Sequence, residues 1–134
     1  MNDHATLKEA NVSYRDAVRG EYYIGVEWDR CYHICLKDRM IGKVFLIDGT
    51  EGQAYGGAEC VYIQWIELEE RYRGKGYIKD VIECLKKEFS HKKYITAQTS
   101  DDHLDMYIHI GFESTGRDPC TFYEMSNIRI PVQT

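Results

Sequence analysis

No stretch of this chain stays apolar for the ~18 residues that a membrane-crossing helix needs, so no membrane span is expected. Its first residues, Met1-Asn2-Asp3-His4, lack the basic start and apolar core of a secretory leader. Cations are also in short supply: 17 Lys+Arg stand against 22 Asp+Glu, a formal net charge of −5. Non-specific nucleic-acid binding draws on a surplus of positive charge, so nucleic acid is not an expected partner. A weak pull on cationic substrates is more natural. The five cysteines are odd in number and scattered, which reads as a reduced, cytoplasmic protein and not as a disulfide scaffold. Neither G-x-x-x-x-G-K-[ST] nor a helix-opening G-x-G-x-x-G occurs, so the common nucleotide-binding loops are missing.

What is present suits one soluble domain. A chain of 134 residues, 43% hydrophobic and 29% charged, is ordinary for a globular protein. At this size roughly two thirds of the unfolded surface is buried on folding. The apolar spacing Leu7, Ala10, Tyr14, Ala17 predicts a helix over Ala5–Arg19, ended by Gly20. Strands are expected over Glu21–Trp28, Cys31–Lys37 and Met40–Ile47, the last two forming a hairpin through Asp38-Arg39. Residues 48–57 read as a glycine-rich loop. Glu59–Leu68 is apolar on both faces, as in a covered central strand. Ile78, Val81, Ile82, Leu85 and Phe89 then repeat at helical spacing over Tyr77–Phe89. A strand over Tyr94–Gln98, a short helix over Asp101–Ile110 stopped by Gly111, and strands over Phe112–Thr115 and Thr121–Ser126 complete the series. The order predicts an α/β (α+β) chain with a mixed sheet and helices on its faces.

The most informative residues are Arg71-Tyr72-Arg73-Gly74-Lys75-Gly76, placed where a strand ends and a helix begins. The first N–H groups of a helix lack internal partners, and the helix dipole makes that end partly positive. Glycine lets backbone approach a ligand closely. Phosphate or pyrophosphate is the simplest occupant, although a basic glycine-containing turn is also often just a turn.

In this context the residues resemble the acyl-CoA-binding core of the GNAT superfamily of N-acyltransferases. Arg71-x-x-Gly74-x-Gly76 fits that family's [Gln/Arg]-x-x-Gly-x-[Gly/Ala] signature after a fourth strand. Tyr107, four residues before Gly111-Phe112, matches the family's tyrosine in a short helix. The resemblance is strong from about Ala58 to Phe112 and extends over Cys31–Ser126, where Met40-Ile41-Gly42 also looks familiar. It implies a mixed, mostly antiparallel sheet of about seven strands flanked by helices. The family places two helices between its first and second strands; here those strand candidates are nearly adjacent, which implies a reduced N-terminal helical region. Ile78 and Ser100 stand where many members carry a small residue and an asparagine.

The implied activity is direct transfer of an acetyl group from acetyl-CoA to a primary amine, with no metal. The attacking amine must lose a proton, the carbonyl oxygen must be steadied and the leaving sulfur must gain a proton. By resemblance, Tyr107 is the acid for the sulfur. Backbone N–H groups near Ile66 and Leu68 would hold the pantetheine on a fourth strand splayed from the fifth. Arg71, Arg73, Lys75 and the N–H groups of Tyr72, Gly74, Gly76 and Tyr77 would take the pyrophosphate, with Ser100 offering one more hydrogen bond. Glu67 is the first candidate for the base and Glu59 the second, either acting through water. Tyr107 equally suits a packed core tyrosine, and both glutamates suit a charged strand rim. Cys31-x-His33-x-Cys35 puts three possible metal ligands on one strand face, but its spacing fits no common zinc motif. A small metabolite, a polyamine, an aminoglycoside-like amine and a protein amine all remain as acceptors. The alternatives are a non-catalytic module of the same fold that holds CoA or a protein partner, and an interaction domain without a ligand. Many family members pair through terminal strands, so a homodimer through Asn127–Thr134 is an expected assembly.

Overall fold

The computed structural model of the chain describes residues 3–17, 20–48, 57–117 and 125–133. Seven strands and two α-helices are found among them: β1 (Thr6–Glu9), β2 (Arg30–Leu36), β3 (Arg39–Asp48), β4 (Cys60–Leu68), α1 (Tyr77–Glu88), β5 (Tyr94–Ser100), α2 (Asp101–Ile110), β6 (Glu113–Arg117) and β7 (Met125–Pro131). The strands hydrogen-bond in the order β1-β2-β3-β4-β5-β7-β6, with β1–β2, β2–β3, β5–β7 and β6–β7 antiparallel. This is the mixed α/β, mostly antiparallel seven-stranded sheet expected. The chain divides into two compact units, Met1–Ile47 with Ile63–Glu88 and Asp48–Tyr62 with Phe89–Thr134.

In the first unit, β2 and β3 form the expected hairpin, with Lys37 turning at φ 56°. Two N-terminal expectations fail. The helix over Ala5–Arg19 is not formed; Thr6–Glu9 is instead strand β1, and only Tyr14–Asp16 makes a single 3-10 turn. Pairing decides this: β1 satisfies the backbone of β2's edge from Thr6↔Cys35 to Glu9↔Tyr32, and the Ala10 N–H donates to the Cys31 carbonyl at 2.9 Å. Asp80, in the first turn of α1, accepts the Ala5 N–H at 2.9 Å and secures the start of the strand. A short helix rests on tertiary packing more than on propensity, and here the packing favours the sheet.

The strand expected over Glu21–Trp28 is also absent. Gly20 and Gly25 take φ of 89° and 83°, which reverse the chain instead of extending it. The buried Trp28 donates its Nε1–H to the Tyr22 carbonyl at 3.1 Å, closing the segment on itself. Trp28 then packs edge-on against Phe45, ring centroids 5.3 Å apart, beside Ala10, Ala17 and Cys31. The first strand therefore lies earlier than expected, and residues 10–17 and 20–29, with no α-helix among them, form a cover over the Cys31–Phe45 face of the hairpin. Side chains alternate across a strand. Tyr32 accordingly faces the other way, toward α1, where it meets Glu88 at 3.4 Å. Val81, Ile82 and Leu85 are the buried stripe of α1.

In the second unit, β5 and β7 alternate buried and half-buried residues. Ile95, Ala97, Ile128 and Ile130 are the buried apolar residues, joined by the buried Thr99 and Ser126. Helix α2 lies against β5, β6 and β7. The described part of the last strand runs Met125–Pro131 and shares Met125 and Ser126 with the strand expected over Thr121–Ser126; residues 121–124 lie outside the described ones, as do 49–56 of the glycine-rich loop. Both edges of β7 are paired, one to β5 and one to β6. The β6 pairing spans Ser126–Arg129, so Ile130 and Pro131 are paired on the β5 side alone.

Candidate functional site

The turn between β4 and α1 has the geometry of an anion site. Glu70–Tyr72 makes one 3-10 turn, and α1 starts at Tyr77. Gly74 and Gly76 sit at φ 72° and 85°, and a Cβ added at either would meet nothing within 4 Å. Glycine is therefore required by backbone conformation, and the space over the turn is open. The N–H groups at the start of α1 have no helical partners.

The three cations of the turn are not equivalent. Arg73 donates its Nε–H to the Leu68 carbonyl at 3.0 Å and pins the end of β4 to the turn. Arg71 lies 3.5 Å from Glu69 and 5.0 Å from the centre of the Tyr72 ring. Lys75 is exposed, with no ion-pair partner among the described residues. Arg39 of β3 joins this cluster, 3.6 Å from Glu69 and 5.9 Å from the Tyr72 ring. Nothing local to Arg39 marks it as a site residue, because only β2–β3–β4 pairing brings it here. Tyr72 and Tyr77 meet edge-on at 6.3 Å, and Ile78 is half-buried behind them on α1.

Ile66, Glu67 and Leu68 end β4. Leu68 is buried, Ile66 half-buried, and the Glu69 N–H donates to the Ile41 carbonyl at 2.8 Å. A Cβ on Gly42 would collide with the Glu67 carbonyl oxygen, so glycine in β3 is what lets β4 run this close. Both oxygens of the Glu67 carboxylate are engaged: Oε1 lies 3.5 Å from Lys43 Nζ, and Oε2 accepts the Trp65 Nε1–H at 3.2 Å. Lys43 lies 3.6 Å from Glu21 as well, and 5.5 Å from the centre of the Tyr22 ring. Tyr22 stacks on His33 and shares a 2.8 Å hydrogen bond with its Nε2. Burial and the neighbouring Lys43 and Lys8 hold His33 below its usual pKa, against an opposing pull from Glu21, and the ring's tautomer sets which of Nε2 and the Tyr22 hydroxyl donates. Sequence reading missed this group. Its one signal was a lysine directly ahead of the apolar run Val44-Phe45-Leu46.

Tyr107 and Ser100 belong to the second unit. Ser100 sits at the N-cap of α2 with extended backbone (φ −73°, ψ 162°), yet its hydroxyl caps no helix N–H. The spacing of Tyr107 from Gly111-Phe112 has a local cause. The Tyr107 carbonyl accepts the Gly111 and Phe112 N–H groups at 3.2 and 3.0 Å, and its ring meets Phe112 edge-on at 5.4 Å. Burial raises the Tyr107 pKa, so the phenol is protonated at neutral pH and able to donate. Glu59, the second candidate base, is exposed at the start of β4, its carbonyl accepting the Lys93 and Tyr94 N–H groups.

Burial pushes the Cys31 thiol up to about 12, with Lys43 opposing and Glu67 adding to the rise, and Cys60 and Cys84 are raised by burial too. Thiols so disposed are poor nucleophiles. Cys31, Cys35, Cys60 and Cys84 are free, and Cys120 lies outside the described residues. Among the described residues no three His, Cys, Asp or Glu side chains converge as metal ligands. None of the described helices is long and apolar enough to cross a membrane.

No protein-family model matches the chain, and no curated protein matches it in sequence. Solved structures do. An acetyltransferase from Thermus thermophilus superposes with a TM-score of 0.68 at 14% identity, over 94% of this chain and 97% of that one. The aminoglycoside acetyltransferase AAC(6')-Ib bound to paromomycin and acetyl-CoA gives 0.68 at 15% identity, over 96% and 94%. A chimera of the spermidine N-acetyltransferase SpeG from Vibrio cholerae gives 0.60 at 16% identity, covering 77% of this chain and 66% of that one. The chain thus spans about two thirds of the SpeG structures' length. At such identities the likeness is one of fold, and the fold is the GNAT fold.

Proposed function

We propose that the chain is an acetyl-CoA-dependent N-acetyltransferase, one catalytic domain acting on a primary amine without a metal, in the reduced cytoplasmic setting that its free cysteines suit. The observation that carries this reading is the open turn at the start of α1. Gly74 and Gly76 take the positive φ that glycine alone tolerates well, and the Cβ-free space over them leaves the helix N–H groups accessible to a pyrophosphate. Acetyltransferases of the same fold have been solved with CoA or acetyl-CoA bound, which supports the assignment of the cosubstrate.

Each residue takes a role in the transfer. Lys75 and Arg71 supply charge to the pyrophosphate beside the N–H groups of Tyr72, Gly74, Gly76 and Tyr77, and Arg73 shapes the turn through Leu68. Main-chain N–H groups near Ile66 and Leu68 hold the pantetheine and polarise the thioester carbonyl. Ser100 gives one hydrogen bond to the same arm. Glu67 takes a proton from the amine through water. The amine nitrogen forms its bond to the carbonyl carbon, the carbon–sulfur bond breaks, and the Tyr107 phenol protonates the departing sulfur. The products are an N-acetyl amine and free CoA. Spermidine and aminoglycosides, named with the solved relatives, are the first acceptors to try. A homodimer is the assembly to test, and sedimentation velocity measures it.

One observation favours a second reading. Both Glu67 oxygens are engaged in the structure, which suits a CoA-binding module that does no chemistry. Release of free thiol from acetyl-CoA with spermidine or kanamycin as acceptor separates the two. Turnover that Tyr107→Phe abolishes while acetyl-CoA affinity holds supports the enzyme. Binding without turnover on any amine supports the module.

A further inference from the structure

We infer that Lys43 is a positioning residue that ties the 20–29 part of the cover to Glu67, so that this segment over the hairpin and the base of the proposed reaction are held as a unit. The inference rests on that reading for its catalytic meaning, but its geometry stands alone.

Lys43 is only 8% exposed, in a run of buried β3 residues that includes Val44 and Phe45. A buried ammonium is unfavourable unless its donors are used, and a lysine has three N–H donors. Three groups face this one: Glu67 of β4 at 3.5 Å, Glu21 of the cover at 3.6 Å and the Tyr22 ring at 5.5 Å. Both carboxylates are themselves substantially exposed, at 39% and 66% of their side chains. They reach inward to a fixed charge, so it is the lysine that decides where they stand. An exposed ion pair would hold neither partner firmly; here one member cannot move into solvent without leaving the core.

The network closes through the chain's two tryptophans. Trp65 donates to the other Glu67 oxygen at 3.2 Å, and Trp28 donates to the Tyr22 carbonyl at 3.1 Å. One indole N–H therefore reports on the base and the other on the cover, with Lys43 between them. His33 reinforces the cover side through its 2.8 Å bond to Tyr22.

The two indole N–H resonances in a ¹⁵N correlation spectrum test this without any acceptor. Glu21→Gln changes an exposed side chain, so the fold survives. It is expected to shift the Trp65 resonance, which Glu21 does not touch, as well as that of Trp28. Lys43→Met is expected to move both, and Lys43→Arg to return both toward their wild-type positions. If Glu21→Gln moves Trp28 alone, or neither, Lys43 does not link the two and the inference is overturned, whether or not Lys43→Met folds. Thiol release with spermidine as the probe acceptor separates this from the functional reading. The inference adds that Lys43→Met lowers kcat at unchanged KM for acetyl-CoA. If Glu67→Gln leaves turnover unchanged, Glu67 is not the base, and the indole result still decides whether the link exists. If Glu67→Gln abolishes turnover and Lys43→Met leaves kcat untouched, the positioning role is wrong and the enzyme reading stands.

Discussion

At the residue scale the account turns on protons. The Tyr107 phenol is kept protonated by burial and its only chemical duty in the proposed transfer is to protonate sulfur. Tyr107→Phe should lower kcat by roughly 10²–10⁴-fold, the usual share of a general acid, with acetyl-CoA affinity unchanged by calorimetry. An equal loss of affinity would make Tyr107 a packing residue. Cys31 carries a stability prediction. Its pKa rises from 9.0 to about 12 on folding, so in that window the folded state keeps a proton that the unfolded chain releases. Stability is then complete below about pH 9 and falls as pH climbs toward 12. Urea midpoints measured from about pH 8 to about pH 11 should drop less steeply for Cys31→Val than for the wild type. His33 acts at the other end. Its folded pKa lies below the usual value of about 6.5, so its contribution is present above that pH and is lost as pH falls through it.

At the element scale the β4–turn–α1 junction carries the proposed cosubstrate site. Replacing Gly74 or Gly76 by alanine forces a side chain into left-handed backbone at roughly 1–2 kcal/mol. Acetyl-CoA titration should show weakened binding, and unchanged affinity would mean that the turn holds no pyrophosphate. Gly42→Ala should lower the melting temperature by more than either, because its Cβ meets the backbone oxygen of Glu67, which cannot swing aside as a side chain would. The same junction was the most legible part of the sequence. The strand expected over Glu59–Leu68 begins one residue later in the structure, the helix starts at Tyr77 as expected, and α2 runs over the whole of Asp101–Ile110. Local rules govern there: glycines at positive φ, an apolar stripe, and a carbonyl at Tyr107 serving two N–H groups. The N-terminus was misread because its spacing of Leu7, Ala10, Tyr14 and Ala17 fits a helix equally well, and nothing local announces that the edge of β2 needs a partner. The count of seven strands came out right with a different first member. Glu21–Trp28 has strand-forming residues, but Gly20 and Gly25 fold them over Trp28. Lys43 and Arg39 were invisible as site residues because their partners lie far along the chain.

At the scale of the whole molecule, residues 10–17 and 20–29 cover the Cys31–Phe45 face of the hairpin without an α-helix. The proposal of one domain predicts a single unfolding transition. Tryptophan fluorescence, which reports only on Trp28 and Trp65 of the first unit, should follow the same urea curve as far-ultraviolet circular dichroism. Separated curves would make the two units independent. The central claim is that the open turn binds acetyl-CoA, and thermal unfolding with and without that ligand tests it most directly. At about 100 times its dissociation constant a ligand adds about 2.7 kcal/mol. The account predicts a saturable rise of several degrees in Tm, lost in Gly74→Asp. An unchanged Tm at saturating acetyl-CoA would contradict it, leaving the turn as a turn and the fold without its cosubstrate.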